Sequence, residues 1–332
     1  MKSSPPEPVA ARVPPQRADQ VLKRLEWTVI RRLDGLLQGD YRTLMRGTGM
    51  DLADLREYQH HDDVRHIDWN VTARLQSPHV RVFTEDREMA AWFLLDLSPS
   101  VDFGSGEQKK REVSAGFVGV LARLLTRHGN RVGAMLYGAG VDQVLPARSG
   151  RLHVLQLLHL MLQRPPAGEQ AGGVTRLHEL LQSAGNLMRR RSTVFVVSDF
   201  ISEPGWEKAL AQLAQRHEVL AVRLLDPMEL ELPDLGLIPI RDAETGEQLM
   251  VDTSDAGFRK RFARIAAQRE AELRAALVHA GVDTLELSTD DDLVNAIMRF
   301  ADLRKRRSRL SSGTGGLPTH LQPAAAASAR AA

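Results

Sequence analysis

The chain has no cysteine among its 332 residues. That excludes disulfides, thiolate metal sites and a cysteine nucleophile, and it fits a reducing compartment. Net charge is also nearly absent, +2 at pH 7, so the overall balance does not argue for a nucleic-acid protein. No apolar run approaches the ~20 residues that a membrane span needs. The Pro-rich start, MKSSPPEPVAARVPPQR, lacks the apolar stretch of a secretory signal. These absences predict a soluble, cytoplasmic protein. What is present, 43% hydrophobic and 26% charged residues, suits one large domain with appendages.

Composition predicts disorder over residues 1–18 and over the low-complexity tail 310–332. Between them lie an N-terminal helix with a charged segment (19–78), a main domain (79–290) and a closing helix (291–309). The first helix carries Val21, Leu22, Leu25, Val29, Ile30 and Leu33 at helical spacing and stops at Gly39. HVRVFTED alternates like a half-buried strand, whereas AAWFLLDLS is continuous, like a strand covered on both faces. Helical and strand-like runs then alternate to the end. They are interrupted by a hairpin pattern turning at Thr245-Gly246 and by a long helix with Phe258, Phe262, Ile265, Leu273 and Leu277 on one face. Strands separated by helices predict an α/β fold with a Rossmann-like, doubly wound, mostly parallel sheet.

In such sheets ligands bind beyond the carboxyl ends of the strands. FLLDLSPS puts Asp96, Ser98 and Ser100 past the first core strand, and VFVVSDF puts Ser198 and Asp199 past a later one. Between them, AGGVTRLHELL places Thr175 at the start of a helix. All these donors are hard oxygens, which suits Mg2+, Mn2+ or Ca2+ and not Zn2+. A plainer reading has Ser98 or Ser100 capping the next helix and Asp96 bonding backbone N–H groups. The order D-x-S-x-S, distant Thr, strand-terminal Asp resembles the metal-ion-dependent adhesion site of von Willebrand factor A domains. The resemblance implies Asp96, Ser98, Ser100, Thr175 and Asp199 as ligands, Mg2+ as the ion, and an open coordination position for a partner's carboxylate.

A second unusual stretch spans 49–88, where charge surrounds Tyr58, Ile67, Trp69 and Val71. Arg56, Arg65 and Arg74 alternate with Asp62, Asp63 and Asp68. This predicts an ion-paired layer packed on the domain. The run DLREYQHHDDVRHIDWNVTAR, followed by EDRE and DLSPS, looks like the signature of the domain-of-unknown-function-58 family. Its members join such a segment to a von Willebrand A-like domain. One departure is His60-His61 where the family usually has Pro-Gly, so a glycine-dependent turn is formed differently here. The resemblance implies no enzymatic activity. It implies an adaptor or co-chaperone role with a MoxR-type AAA+ ATPase and a client protein.

Other readings are weaker. His60, His61, Asp62, Asp63 and His66 invite a transition-metal site, but their spacing matches no standard helical ligand pair. GSGEQKK lacks the spacing of a phosphate-binding loop. LRKRRSRL, a basic run without interleaved aromatics, reads as a solvated helix end. The alternative function is a metal-dependent, phosphoesterase-like hydrolase using Asp96 and Asp199, for which no general-base His or Lys can be assigned.

Overall fold

The computed structural model describes residues 16–33, 54–59, 64, 67–82, 90–163, 174–241 and 247–311. The chain divides into two compact units, 1–38 with 90–297, and 39–89 with 298–332. Among the described residues no helix is long and apolar enough to cross a membrane.

The first unit opens with helix α1 (Gln16–Leu25), which runs on through a π turn at Glu26–Ile30. Leu22, Leu25, Val29, Ile30 and Leu33 are buried on its inner face. In the second unit, β1 (Asp54–Glu57) pairs antiparallel with β2 (His79–Val82), and helix α2 (Trp69–Leu75) lies between them in sequence. Here the structure departs from two expectations. HVRV is not a strand of the main sheet, so the main domain's first strand starts at Ala90 and not at 79. Trp69 is not a buried residue either. It opens α2 and is 70% exposed, while the buried Asp68 caps that helix by accepting from the Val71 N–H at 3.2 Å. A cap carboxylate accepts from an N–H of the helix's first turn that has no partner within the helix. The side chain of Arg56 and all of His60, His61, Asp62, Asp63, Arg65 and His66 lie outside the described residues, and Arg74 is exposed.

The remaining elements of the first unit alternate as expected. They are β3 (Ala90–Asp96), α3 (Lys110–Arg127), β4 (Arg131–Tyr137), β5 (Val141–Arg148), α4 (Arg151–Gln163) and α5 (Leu177–Leu187). Then come β6 (Thr193–Ser198), α6 (Trp206–Arg216), β7 (Glu218–Leu225), the short α7 (Pro227–Leu230), β8 (Leu237–Arg241) and β9 (Gln248–Asp252). Helix α8 (Ala256–His279) and β10 (Asp283–Ser288) follow, and the boundary between the units falls within α9 (Leu293–Ser311). Six strands form one sheet in the order β10-β7-β6-β3-β4-β5, and β8-β9 form a separate hairpin. All pairings in the large sheet are parallel except β4-β5, whose connecting turn is too short for a crossover.

Helices cover both faces, which is why β3 and β6 are continuously apolar. Leu94, Met135, Val194, Val196, Val219 and Ala221 pack under α5, α6 and the end of α8. Phe93 and Phe195, register partners on adjacent strands, stack with centroids 5.0 Å apart. On α8 only Leu277 of the predicted apolar face is buried, and Ile265 is exposed. Glycine is required at Gly133, because a Cβ there would lie 2.8 Å from the ring of its cross-strand neighbour Trp92.

Candidate functional site

Read in chain order within the sheet, the first strand, β3, sits at the centre beside the fourth, β6. The chain winds outward in opposite directions from these two strands. This is the switch point where doubly wound sheets open a crevice at the strands' carboxyl ends. Asp96 is the last residue of β3, and Asp199 directly follows β6. Topology therefore brings the two aspartates to one crevice although a hundred residues separate them.

Asp96, Ser98, Ser100, Thr175 and Asp199 are all buried. The backbone N–H of Ser98 donates to Asp96 Oδ1 at 2.9 Å, and Ser198 Oγ donates to Asp96 Oδ2 at 2.6 Å. Ser98 Oγ and Ser100 Oγ are 3.1 Å apart and hydrogen bonded to one another. Ser98 precedes a short 3-10 turn (Pro99–Asp102) yet makes no side-chain cap bond to it, and α3 begins only at Lys110. The helix-cap reading of the serines therefore does not hold, whereas Asp96 does bond a backbone N–H. Thr175 is held beside the β6 end through its carbonyl, which accepts from Ser202 Oγ at 2.8 Å and from Glu203 N at 2.9 Å.

The turn after β6 is fixed in a conformation that L-residues seldom adopt. Phe200 has φ +60°, which is sterically costly for a side chain of this size. Two bonds hold it. Ser198 Oγ accepts from Phe200 N at 2.9 Å, and Asp199 Oδ1 accepts from Ile201 N at 3.0 Å. Ser198 thus orients both aspartates, donating to one and shaping the turn of the other.

Lys110 is the residue that sequence reasoning missed. Its side chain is fully buried at the start of α3, and its Nζ donates to Asp199 Oδ2 at 2.7 Å and to Glu229 Oε1 at 2.6 Å. GSGEQKK lacks the spacing of a phosphate-binding loop, and nothing in two adjacent lysines marks the second as internal. Glu229 is held in turn by the α7 cap, where the Asp226 N–H donates to Glu229 Oε2 at 3.1 Å. Asp226 accepts from Ser105 N, Ser105 Oγ and Thr289 Oγ1 at 2.8, 2.6 and 2.7 Å. The network therefore ties the loop after β3 to the ends of β7 and β10.

Electrostatics follow from burial. Asp96 is pushed up from 3.8 to about 6, by burial first and by the Asp199 charge second, against its bonds from Ser198 and Ser98. For Lys110, burial disfavours the ammonium, but Asp199 and Glu229 outweigh it and hold the group above its ordinary value. Burial raises Glu229 despite Lys110. Carboxylate and hydroxyl oxygens without thiolate or imidazole fit a hard divalent ion. Any such ion at Asp96, Ser98, Ser100, Thr175 and Asp199 would share Asp199 with the ammonium of Lys110.

Residues 54–272 match the family described as "Protein of unknown function DUF58". The uncharacterized protein Rv1480 of Mycobacterium tuberculosis is 36% identical over 304 residues, covering 91% of this chain and 94% of that protein. The uncharacterized protein MAV169 of Mycobacterium avium is 37% identical over 164 residues, covering 49% of this chain and 94% of its own. Among solved structures, BatB from Bacteroides thetaiotaomicron matches 66% of this chain and 99% of its own, at 15% identity and a TM-score of 0.44. The SpRpn10 VWA domain matches 64% and 95%, at 13% identity and a TM-score of 0.37.

Proposed function

We propose that this chain, which belongs to the DUF58 family, is a protein-binding module that captures partners at the carboxyl end of its six-stranded sheet. The observation that carries the reading is the buried, oxygen-only set of Asp96, Ser98, Ser100 and Asp199 at the switch point. Asp96, Ser98, Ser100, Thr175 and Asp199 would hold a divalent cation, Mg2+ by preference, and the ion would offer a coordination position to a carboxylate of the partner. The chain's own contribution is to orient those oxygens. Ser198 fixes Asp96, the Phe200 turn aims Asp199, and Lys110 anchors Asp199 through a buried ion pair. By the family resemblance the partner is a cytoplasmic MoxR-type AAA+ ATPase, with this chain acting as adaptor toward a client. The twice-paired, buried Lys110 and the lack of an imidazole in the described site leave a hydrolase without a general-base lysine or histidine there.

A pull-down with a MoxR-type ATPase, run in Mg2+ and in chelator, tests this. Capture in Mg2+ should fall at least tenfold in chelator and in Asp96→Ala, with no turnover of a phosphoester by the isolated chain. Equal capture in chelator would overturn the metal-dependent reading. Phosphoester hydrolysis lost in Asp96→Ala would replace the adaptor with the hydrolase.

A further inference from the structure

At the opposite, amino end of the same sheet lies a cleft of about 530 Å³ lined by Met188, Arg189, Arg191, Arg216 and His217, with Gly185 and Asn186 at its side. That volume is within the roughly 300–1,000 Å³ of small-molecule sites. The three arginines are exposed, and none is ion-paired to a carboxylate among the described residues. His217 is only 4% exposed, and both of its ring nitrogens are buried without a hydrogen-bond partner among the described residues. An unpaired buried imidazole is costly, so it calls for an explanation.

A structural role explains part of the cluster. Helices α5 and α6 end here, at Leu187 and Arg216, and cations favour helix carboxyl ends. The magnitudes do not balance, however. Two helix ends supply about −0.5 charge each, against three full guanidinium charges. Glu218, which accepts from Thr193 Oγ1 at 3.4 Å and is not a lining residue, removes one more. The cleft keeps about one unit of positive charge even so, and helix-end complementarity gives the imidazole no partner.

We infer that this cleft binds a phosphate group, free or as a small phosphate monoester. Planar guanidinium forks match phosphate oxygens in pairs. His217 is held below its ordinary value of 6.5, by burial first and then by Arg216 and Arg191, so near pH 7 the ring is neutral. A neutral imidazole has one N–H donor and one bare nitrogen acceptor. A ligand hydroxyl would satisfy the acceptor, and the P–OH of hydrogen phosphate or the alcohol of a sugar phosphate supplies one whereas sulfate does not. Both ring nitrogens are buried, so ligand contact with them requires the cleft lining to shift.

Thermal shifts of the full chain at pH 7.5, with ionic strength held constant by KCl, test this with inorganic phosphate, glucose 6-phosphate, glucose and sulfate. At ~10 mM, phosphate or glucose 6-phosphate should raise the melting temperature by about 2 °C or more, with sulfate weaker and glucose inert. The glucose 6-phosphate shift exceeds that of phosphate if the ligand is a monoester, and the two are equal if it is the free ion. R191A/R216A alters two exposed residues and should abolish the shift without unfolding the chain. His217→Leu keeps the arginines and should make phosphate and sulfate equivalent. No shift beyond matched KCl, a shift that survives R191A/R216A, or discrimination that survives His217→Leu would overturn the assignment. Displacement by a short oligonucleotide at lower concentration than glucose 6-phosphate would transfer the site to nucleic acid.

Discussion

The two ends of the six-stranded sheet solve the same electrostatic problem in opposite ways. At the carboxyl end, buried carboxylates are answered from within. Lys110 serves Asp199 and Glu229, while Ser198 and the Ser98 N–H serve Asp96. At the amino end, Arg189, Arg191 and Arg216 crowd a cleft with no described carboxylate paired to them, and buried His217 has no described partner. A site whose carboxylates are each bonded from within can fold empty and take a ligand by sharing an existing partner. An unneutralised one carries a standing penalty that a ligand removes. The two ends also respond oppositely to acid, because one holds a raised carboxyl and the other a depressed imidazole.

The comparison breaks most visibly if Lys110 is removed. Lys110→Met keeps most of the side chain's length and its apolar character but leaves Asp199 and Glu229 without their cation. Losing one partner of a buried ion pair costs about 3–5 kcal/mol. Urea unfolding in chelator should show that loss. Mg2+ should then recover more stability in the variant than in the natural chain, since the ion no longer shares Asp199. A loss below 1 kcal/mol would mean that the pair is not buried in solution.

Asp96 gives the next largest effect. Its carboxyl is raised from 3.8 to about 6 in the folded chain. Between those values the native state keeps a proton that the unfolded state has released. Stability is therefore greatest below about pH 4 for this group and declines as pH rises through 6. The difference amounts to something on the order of 3 kcal/mol. Asp96→Asn can still accept from the Ser98 N–H and bond Ser198, and it does not ionise. In chelator it should be more stable than the natural chain above pH 6, with the gap closing near pH 4. In Mg2+ the order should reverse, because only the natural chain is stabilised by the ion. A gap independent of pH would contradict the raised carboxyl.

Much of the carboxyl end was legible in the sequence because it is written in local patterns. Apolar runs ending in DLSPS and SDF give a buried strand followed by oxygen donors, and the alternation of elements gives the sheet that brings them together. Lys110 was not legible. Its partners lie 89 and 119 residues away, and a lysine opening a helix looks the same in sequence whether solvated or buried. HVRV was misplaced for a related reason, since four alternating residues do not say which sheet they join. Arg189 and Arg191 come just after the helix that ends at Leu187. His217 reaches the same cleft from another segment, after α6. Charge clusters assembled across loops leave no periodicity to read.

The smallest expected effect concerns the amino end in the absence of ligand. His217→Leu replaces two unpartnered nitrogens with apolar volume of similar size, which should stabilise the chain by about 1 kcal/mol. The sign with pH distinguishes this from simple core filling. His217 is depressed below 6.5 in the folded chain, so the unfolded state takes up a proton first as pH falls. The natural chain therefore loses stability below pH 6.5, and the leucine variant does not share that loss. Urea unfolding at pH 7.5 and 5.5 should show the variant's advantage widening at the lower pH, the reverse of the trend for Asp96→Asn. A variant destabilised at both values would mean that the imidazole is bonded in solution, and the amino end would then be as internally satisfied as the carboxyl end.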